Sequence, residues 1–416
     1  MCRIISGDNG ENASSNKKFH YGWVIVTLGL IANIGAHGLG RLSYSVILPQ
    51  MAEALQLNWT EAGLLGTANL TGYLIFSLLG GSLASRYGTR KVMTYSLIVV
   101  GVTLFLTGLS TNFYHALFLR FLTGLGNGGV YIPAMALGSI WFSQRHRGLA
   151  TGIAGAGPGM GIFVSGLILP PILFSSGWNS AWHAMGLLVL AVYVLCFFFL
   201  RDHSQEKAQI EQKKKSASSG DWRFVYRHKG IRSLGLVYMM YGLAYAGYAT
   251  FFHAFLTKEI GLPVAQAAYM WTFAGGMSLF AAVMWGGVSD KLGRKYTMSL
   301  VYLINAASYS LFFFSDSASG FYLSAILFGL GLGSIPTIVA ASAADQVGVK
   351  LTSTAMGLLT AFFGVGQLIG PALGGFLADY TGSFRLAFAF ASLAAVTGSV
   401  GSLLLKKPQQ PPLESE

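Results

Sequence analysis

Charge is what this chain has least of. Asp, Glu, Lys and Arg make up 10% of its 416 residues, while 53% are hydrophobic. A water-soluble domain of that length carries about 25% charge, so a soluble globular protein is excluded and a polytopic helical membrane protein is indicated. Cysteine is nearly absent: Cys2 and Cys196 supply neither a disulfide framework nor a thiolate metal site. Acids are scarcer than bases, and every Asp and Glu falls in a loop, a tail or the end of an apolar segment. No carboxylate is therefore available at mid-membrane to carry a proton or hold sodium. There is no Walker loop, buried nucleophile or paired acid, which argues against an ATP-driven pump, an enzyme, a cofactor or a bound metal. The formal net charge of +12 does not indicate nucleic acid, because the bases lie in short loops between apolar segments, as orientation signals do.

Apolar segments long enough to span a bilayer recur at 22–49, 60–84, 92–110, 113–141, 148–174 and 180–200. Six more follow at 231–257, 266–288, 296–314, 321–343, 352–378 and 384–404. The expected fold is an all-α membrane protein of 12 transmembrane helices in two six-helix bundles. The expected organisation is a tail over 1–20, a first bundle over 21–200, a linker over 201–230, a second bundle over 231–405 and a tail over 406–416. If the chain starts in the cytoplasm, the outer loops hold only Lys258 and Arg385, and Arg41 and Arg120 lie within spans. All remaining bases then fall inside, which places both termini in the cytoplasm of a cell membrane.

The halves repeat one another. Gly81 matches Gly286, Gly124, Gly126 and Gly128 match Gly329, Gly331 and Gly333, and Gly152 and Gly161 match Gly357 and Gly366, all at one offset of 205 residues. A duplicated six-helix unit with a site between its halves is a transporter architecture.

The connection between spans 8 and 9 reads Gly, three residues, Asp, a base, any residue, Gly and two bases: Gly286, Asp290, Lys291, Gly293, Arg294, Lys295. Its copy between spans 2 and 3 has Gly81, Arg86, Gly88, Arg90 and Lys91, with Ser85 where the acid belongs. Over nearly its whole length the chain resembles the major facilitator superfamily, and these loops carry the resemblance. The resemblance implies a gating role for them, weakened at Ser85. Arg120 followed by Gly124, Gly126 and Gly128 is similar to a second family motif, and Pro158 and Pro371 sit in glycine-rich runs that are expected to pack and rock helices. Span 1, through GRLSYSVILPQM, resembles the organic-anion branch and uncharacterised bacterial members.

Span 1 also carries the chemistry. At about 100° per residue, Asn33, His37, Arg41 and Tyr44 share one helical face. A guanidinium within a span costs roughly 2.5 kcal/mol or more unless it meets protein, water or a ligand. Arg41 is read as an anion site or as a side chain snorkelling to the outer interface. The resemblance implies that spans 1, 4, 7 and 10 line the cavity. A shift of 204 residues sets Tyr241, Tyr245 and Tyr248 of span 7 opposite His37, Arg41 and Tyr44. Span 4 adds Arg120, Asn127 and Tyr131. Arg120 has two readings, a second cation for the anion or a clamp on backbone carbonyls of span 1. His37 is the candidate for coupling to protons. The expected function is secondary active transport of a small organic anion, a carboxylate by the fork geometry of Arg, by a monomer in a lipid bilayer. Efflux of lipophilic compounds and a non-transporting sensor or scaffold are the alternatives.

Overall fold

The computed structural model describes residues 20–142, 144–202 and 221–405. The tail over 1–20 except His20, most of the linker over 201–230 and the tail over 406–416 lie outside the described residues.

Span 1 is built in three parts: α1 (Gly22–Asn33), a π-helical segment (Ile34–Leu42) and α2 (Tyr44–Ala54). Gly35, Gly38 and Gly40 fall in the π segment; such wide turns are rare and cluster at functional sites. After it come α3 (Trp59–Tyr87), α4 (Thr89–Thr107), α5 (Phe113–Trp141), α6 (Gln144–Gly155) and α7 (Gly157–Phe199). α3 starts with a reciprocal cap, Glu61 N donating to Asn58 Oδ1 at 2.8 Å and Asn58 N to Glu61 Oε2 at 3.1 Å. A short helix α8 (Asp221–Arg227) precedes α9 (Lys229–Ala254), which continues into a second π segment (Phe255–Glu259). The second half closes with α10 (Val264–Leu292), α11 (Arg294–Phe314), α12 (Ala318–Gly331), α13 (Ser334–Thr381) and α14 (Arg385–Leu404).

Two helices are too long for one crossing. α7 has 43 residues and leaves helical geometry at Gly177 (φ 75°), and α13 has 48 and does so at Gly348 (φ 76°). At about 1.5 Å per residue each exceeds twice a 30 Å hydrocarbon layer, so each glycine marks the turn between two spans. Among the described residues the rods then number six before the linker and six after. Among the described residues, eight helices are long and apolar enough to cross a membrane by themselves, nine with the bent pair Val264–Ala281 and Met284–Leu292. One of the eight, Gly148–Phe199, is a 52-residue stretch that contains two rods. α5 and α9 are not in that set. They carry Arg120, Asn127 and the span 7 tyrosines, and a helix that lines a polar cavity gives up apolar residues.

Within the first half, close backbone approach does the packing. A Cβ on Gly161 would lie 2.1 Å from Gly38 Cα, and one on Gly124 2.0 Å from the Asn69 carbonyl oxygen. The second half has such approaches too, a Cβ on Gly366 falling 2.1 Å from the Met239 carbonyl oxygen, and adds a core of rings, with Tyr248, Phe252, Tyr309, Phe312 and Phe328 all buried. The halves meet through α3 with α13, α7 with α10, and α2 with α9. An even number of crossings puts both ends of the described chain on one side, the terminal face; the opposite side is the far face.

At the terminal face the start of α4 is held by an acid from elsewhere in the chain. Asp202, after span 6, accepts from Arg90 N at 2.8 Å, and the Arg90 guanidinium donates to the Phe197 carbonyl at 2.6 Å. In the second copy the acid is used as the motif suggests: Arg294 Nη1 donates to Asp290 Oδ1 at 2.5 Å and Nε to Asp345 Oδ2 at 3.1 Å. Pro158 occupies the first turn of α7, where proline needs no amide partner, and so starts that helix. Pro371 lies inside α13, and its carbonyl oxygen would be 2.2 Å from a Cβ on Gly63.

The Gly38–Gly161 crossing is directly testable. Gly161→Val should cost about 1–3 kcal/mol by overpacking and lower the thermal melting of the detergent-purified protein by several degrees; an unchanged melt would mean that the two backbones can part there freely.

Candidate functional site

Between the halves lies a cavity of about 30 Å³, room for about two waters. Arg41, Tyr44, Ser45, Asn69 and Arg120 of the first half and Tyr245 and Thr250 of the second are among its lining residues. Arg41 comes from the π segment. Its guanidinium carbon lies 5.5 Å from the ring centre of Tyr73 and 5.7 Å from that of Tyr245. It is thus held between aromatic faces from opposite halves. Among the described residues no carboxylate or hydrogen-bond acceptor engages it. It does not snorkel; it points into the boundary between the bundles.

Arg120 is placed differently. It is 1% exposed, its Nη1 donates to the Gly40 carbonyl at 2.8 Å, and its guanidinium lies 4.7 Å from the Tyr44 ring centre and 5.3 Å from that of Trp182. Of its two sequence readings, the clamp on span 1 is the one these contacts describe, although Arg120 also borders the cavity. Tyr44 stands beside it and donates to the Ala62 carbonyl at 2.7 Å. Asn127, with its amide turned so that both ends are satisfied, donates to the Ala36 carbonyl at 2.9 Å and the Thr123 carbonyl at 3.2 Å. It therefore ties span 4 to span 1.

The remaining candidates divide. His37 is 4% exposed, packs on Tyr73 and Tyr131 at 5.3 and 4.8 Å between ring centres, and has no partner for either ring nitrogen. Asn33 turns away from the cavity and donates to the Ala154 carbonyl of α6 at 2.8 Å. The 100° count fails here because the π segment between Asn33 and Arg41 advances by less than that per residue. Tyr241 and Tyr245 stack at 5.7 Å, with Tyr245 reaching Arg41. Tyr248 does not join them. It is fully buried within its own bundle, bonded to Ser324 Oγ at 2.7 Å and packed on Tyr309, Phe312 and Phe328. Sequence reasoning missed Tyr73, Asn69 and Ser45, since none carries charge and a lone polar residue in a span gives no periodic signal.

The cavity is shut on its far side. Ser45 Oγ and His253 Nδ1 are 3.1 Å apart, Lys258 Nζ donates to Glu53 Oε2 at 2.5 Å, and Thr67 donates to the Leu368 carbonyl at 3.0 Å. The Asp379 carboxylate accepts from Trp59 N at 2.9 Å and Thr60 N at 2.7 Å, so the end of span 11 caps the start of α3. These cross-half bonds all lie between the cavity and the far face.

Two bundles of six rods around one polar cavity make a multi-pass membrane transporter of the major facilitator type. The family model described as uncharacterised MFS-type transporter YbfB matches residues 33–403, and the chain belongs to that family. The probable sulfoacetate transporter SauU of Cupriavidus necator is 25% identical over 400 residues, 88% of this chain and 90% of that protein. The cis,cis-muconate transport protein of Acinetobacter baylyi is 24% identical over 413 residues, 97% and 100% of the two chains. A bacterial homologue of the human lysosomal transporter Spinster, solved inward-facing and unoccupied, superposes with a TM-score of 0.72 at 18% identity, covering 93% of this chain and 96% of that one. That likeness is one of fold.

The two arginines should respond differently to removal. Arg120→Met strands the buried Gly40 carbonyl and should cost about 1–3 kcal/mol, read as a lower melting temperature. Arg41→Met breaks no hydrogen bond and should melt at or above the wild-type temperature. Equal destabilisation by both would contradict the division of roles.

Proposed function

We propose that this protein is a secondary active transporter that carries a small organic anion, a carboxylate, by alternating access between its two halves. One observation carries the reading: the Arg41 guanidinium has no acceptor among the described residues and faces a cavity shared by both bundles. A cation that deep in low dielectric needs a counter-charge, and two arginines without an acid at the cavity favour an anion over a neutral solute. The printed names of the relatives, a sulfoacetate transporter and a muconate transport protein, fit the same class of cargo.

In this reading Arg41 receives the carboxylate, Arg120 holds span 1 in place beside it, and Tyr241 and Tyr245 form the opposing wall. His37, within the same span and unpartnered at both nitrogens, is a place for a proton near the anion. The far-face contacts form one gate, and the Arg294–Asp290–Asp345 cluster belongs to the opposite one. The distribution of bases sets the terminal face in the cytoplasm and the chain in a cell membrane. The cavity is complete within one chain, in keeping with a monomer.

Counterflow into proteoliposomes with a panel of labelled carboxylates, muconate and sulfoacetate among them, tests this. The wild type should exchange at least one of them, and Arg41→Lys, which loses the two-pronged geometry, should slow that exchange about tenfold or more. A wild type inert to every anion would end the anion reading; a Lys variant as fast as wild type would remove Arg41 from the site.

A further inference from the structure

His253 is fully buried, and it is bonded across the boundary that has to open. Its Nδ1 lies 3.1 Å from Ser45 Oγ in the other half, while Nε2 has no partner. Ser45 lines the Arg41 cavity, and His253 meets it from the other half. His37 differs in this respect: its ring neighbours Tyr73 and Tyr131 both belong to its own half, and separating the bundles does not break its contacts.

The surroundings of the His253 ring are apolar or neutral. Its own helix contributes Phe252 and α10 contributes Trp271, at 5.2 and 5.5 Å between ring centres. Along span 1, Arg41 is about one turn from Ser45 on the terminal side, and Glu53 is about two turns away on the far side, paired with Lys258. The other acids at this end are engaged elsewhere: Glu61 accepts from Asn58 N, Glu259 from Ser383 and Phe384 N, Asp316 from Arg385, and Asp379 from Trp59 and Thr60. An imidazolium shut into this place would have two aromatic rings and a hydroxyl around it and, among the described residues, no carboxylate bonded to it. The closed arrangement therefore requires a neutral ring. Water can reach the ring when α2 and α9 part.

We propose that His253 is a proton-sensing latch on the far gate, taking a proton from far-side water when the halves separate and returning it to that water before Ser45 and His253 can meet again. Closing this gate releases one proton. Acid on the far side thus holds the gate open, and a rise in pH favours closure. The inference rests on the alternating-access reading.

Distance measurement between spin labels tests both separately. Ser176 and Ser319 are exposed at the far face, one on each half, and take labelled cysteines in a background with Cys2 and Cys196 replaced by serine. In lipid nanodiscs the widely separated population of the wild type should grow several-fold between about pH 7.5 and pH 5.5, the range in which histidine titrates. His253→Gln keeps an amide for Ser45 and cannot take up a proton, so its population should be the same at both pH values. A Gln variant that still responds to pH, or a wild type that does not, would overturn the latch. A single short distance in every sample, with and without the carboxylate panel, would overturn alternating access as well. If the Gln variant fails to fold, Ser45→Ala should raise the separated population at neutral pH, and an unaltered population there would equally refute the proposal.

Discussion

The arrangement of this protein depends on a guanidinium with no acceptor among the described residues. Arg41 is suspended between Tyr73 and Tyr245, one ring from each bundle. Aromatic faces offset about 0.5–2 kcal/mol of the cost of such a cation, which leaves part of it unmet until an anion or water arrives. The π segment serves this placement, because its wide turns and glycines bring the span 1 backbone against Gly161 while directing Arg41 toward the boundary.

The two intramembrane arginines illustrate how differently one residue type can be used a few ångströms apart. Arg120 donates through Nη1 to the Gly40 carbonyl, one residue before Arg41, and is covered by Tyr44 and Trp182. It fixes the backbone from which Arg41 projects. A fixed scaffold cation and a free one side by side repel each other, and that repulsion is relieved by negative charge in the cavity.

Much of the fold was legible because bilayer thickness and internal duplication leave long-range marks in a sequence. The offset of 205 residues between motif glycines and the alternation of apolar segments were enough to expect two bundles, and the facing of Arg41 by Tyr245 followed from sliding one half over the other. Local rotation was less legible. Asn33 lies before the π segment and Arg41 within it, so a count based on α-helical turns assigned them one face when they have two. Tyr241, Tyr245 and Tyr248 share a stripe by spacing, yet the stripe is wide enough that Tyr245 reaches the cleft while Tyr248 is absorbed by the ring-packed interior of its own bundle. Asp202 caps the start of α4 from more than a hundred residues away, a contact that only three-dimensional proximity reveals.

The carboxylate of Asp379 and the Glu53–Lys258 pair sit in exposed surroundings, whereas Ser45 and His253 are sealed from water. Dissolved ions screen the former over a Debye length of about 8 Å at physiological strength and scarcely touch the latter. The far end is accordingly a rim that the ionic medium can soften, wrapped around a dry bolt that salt cannot reach.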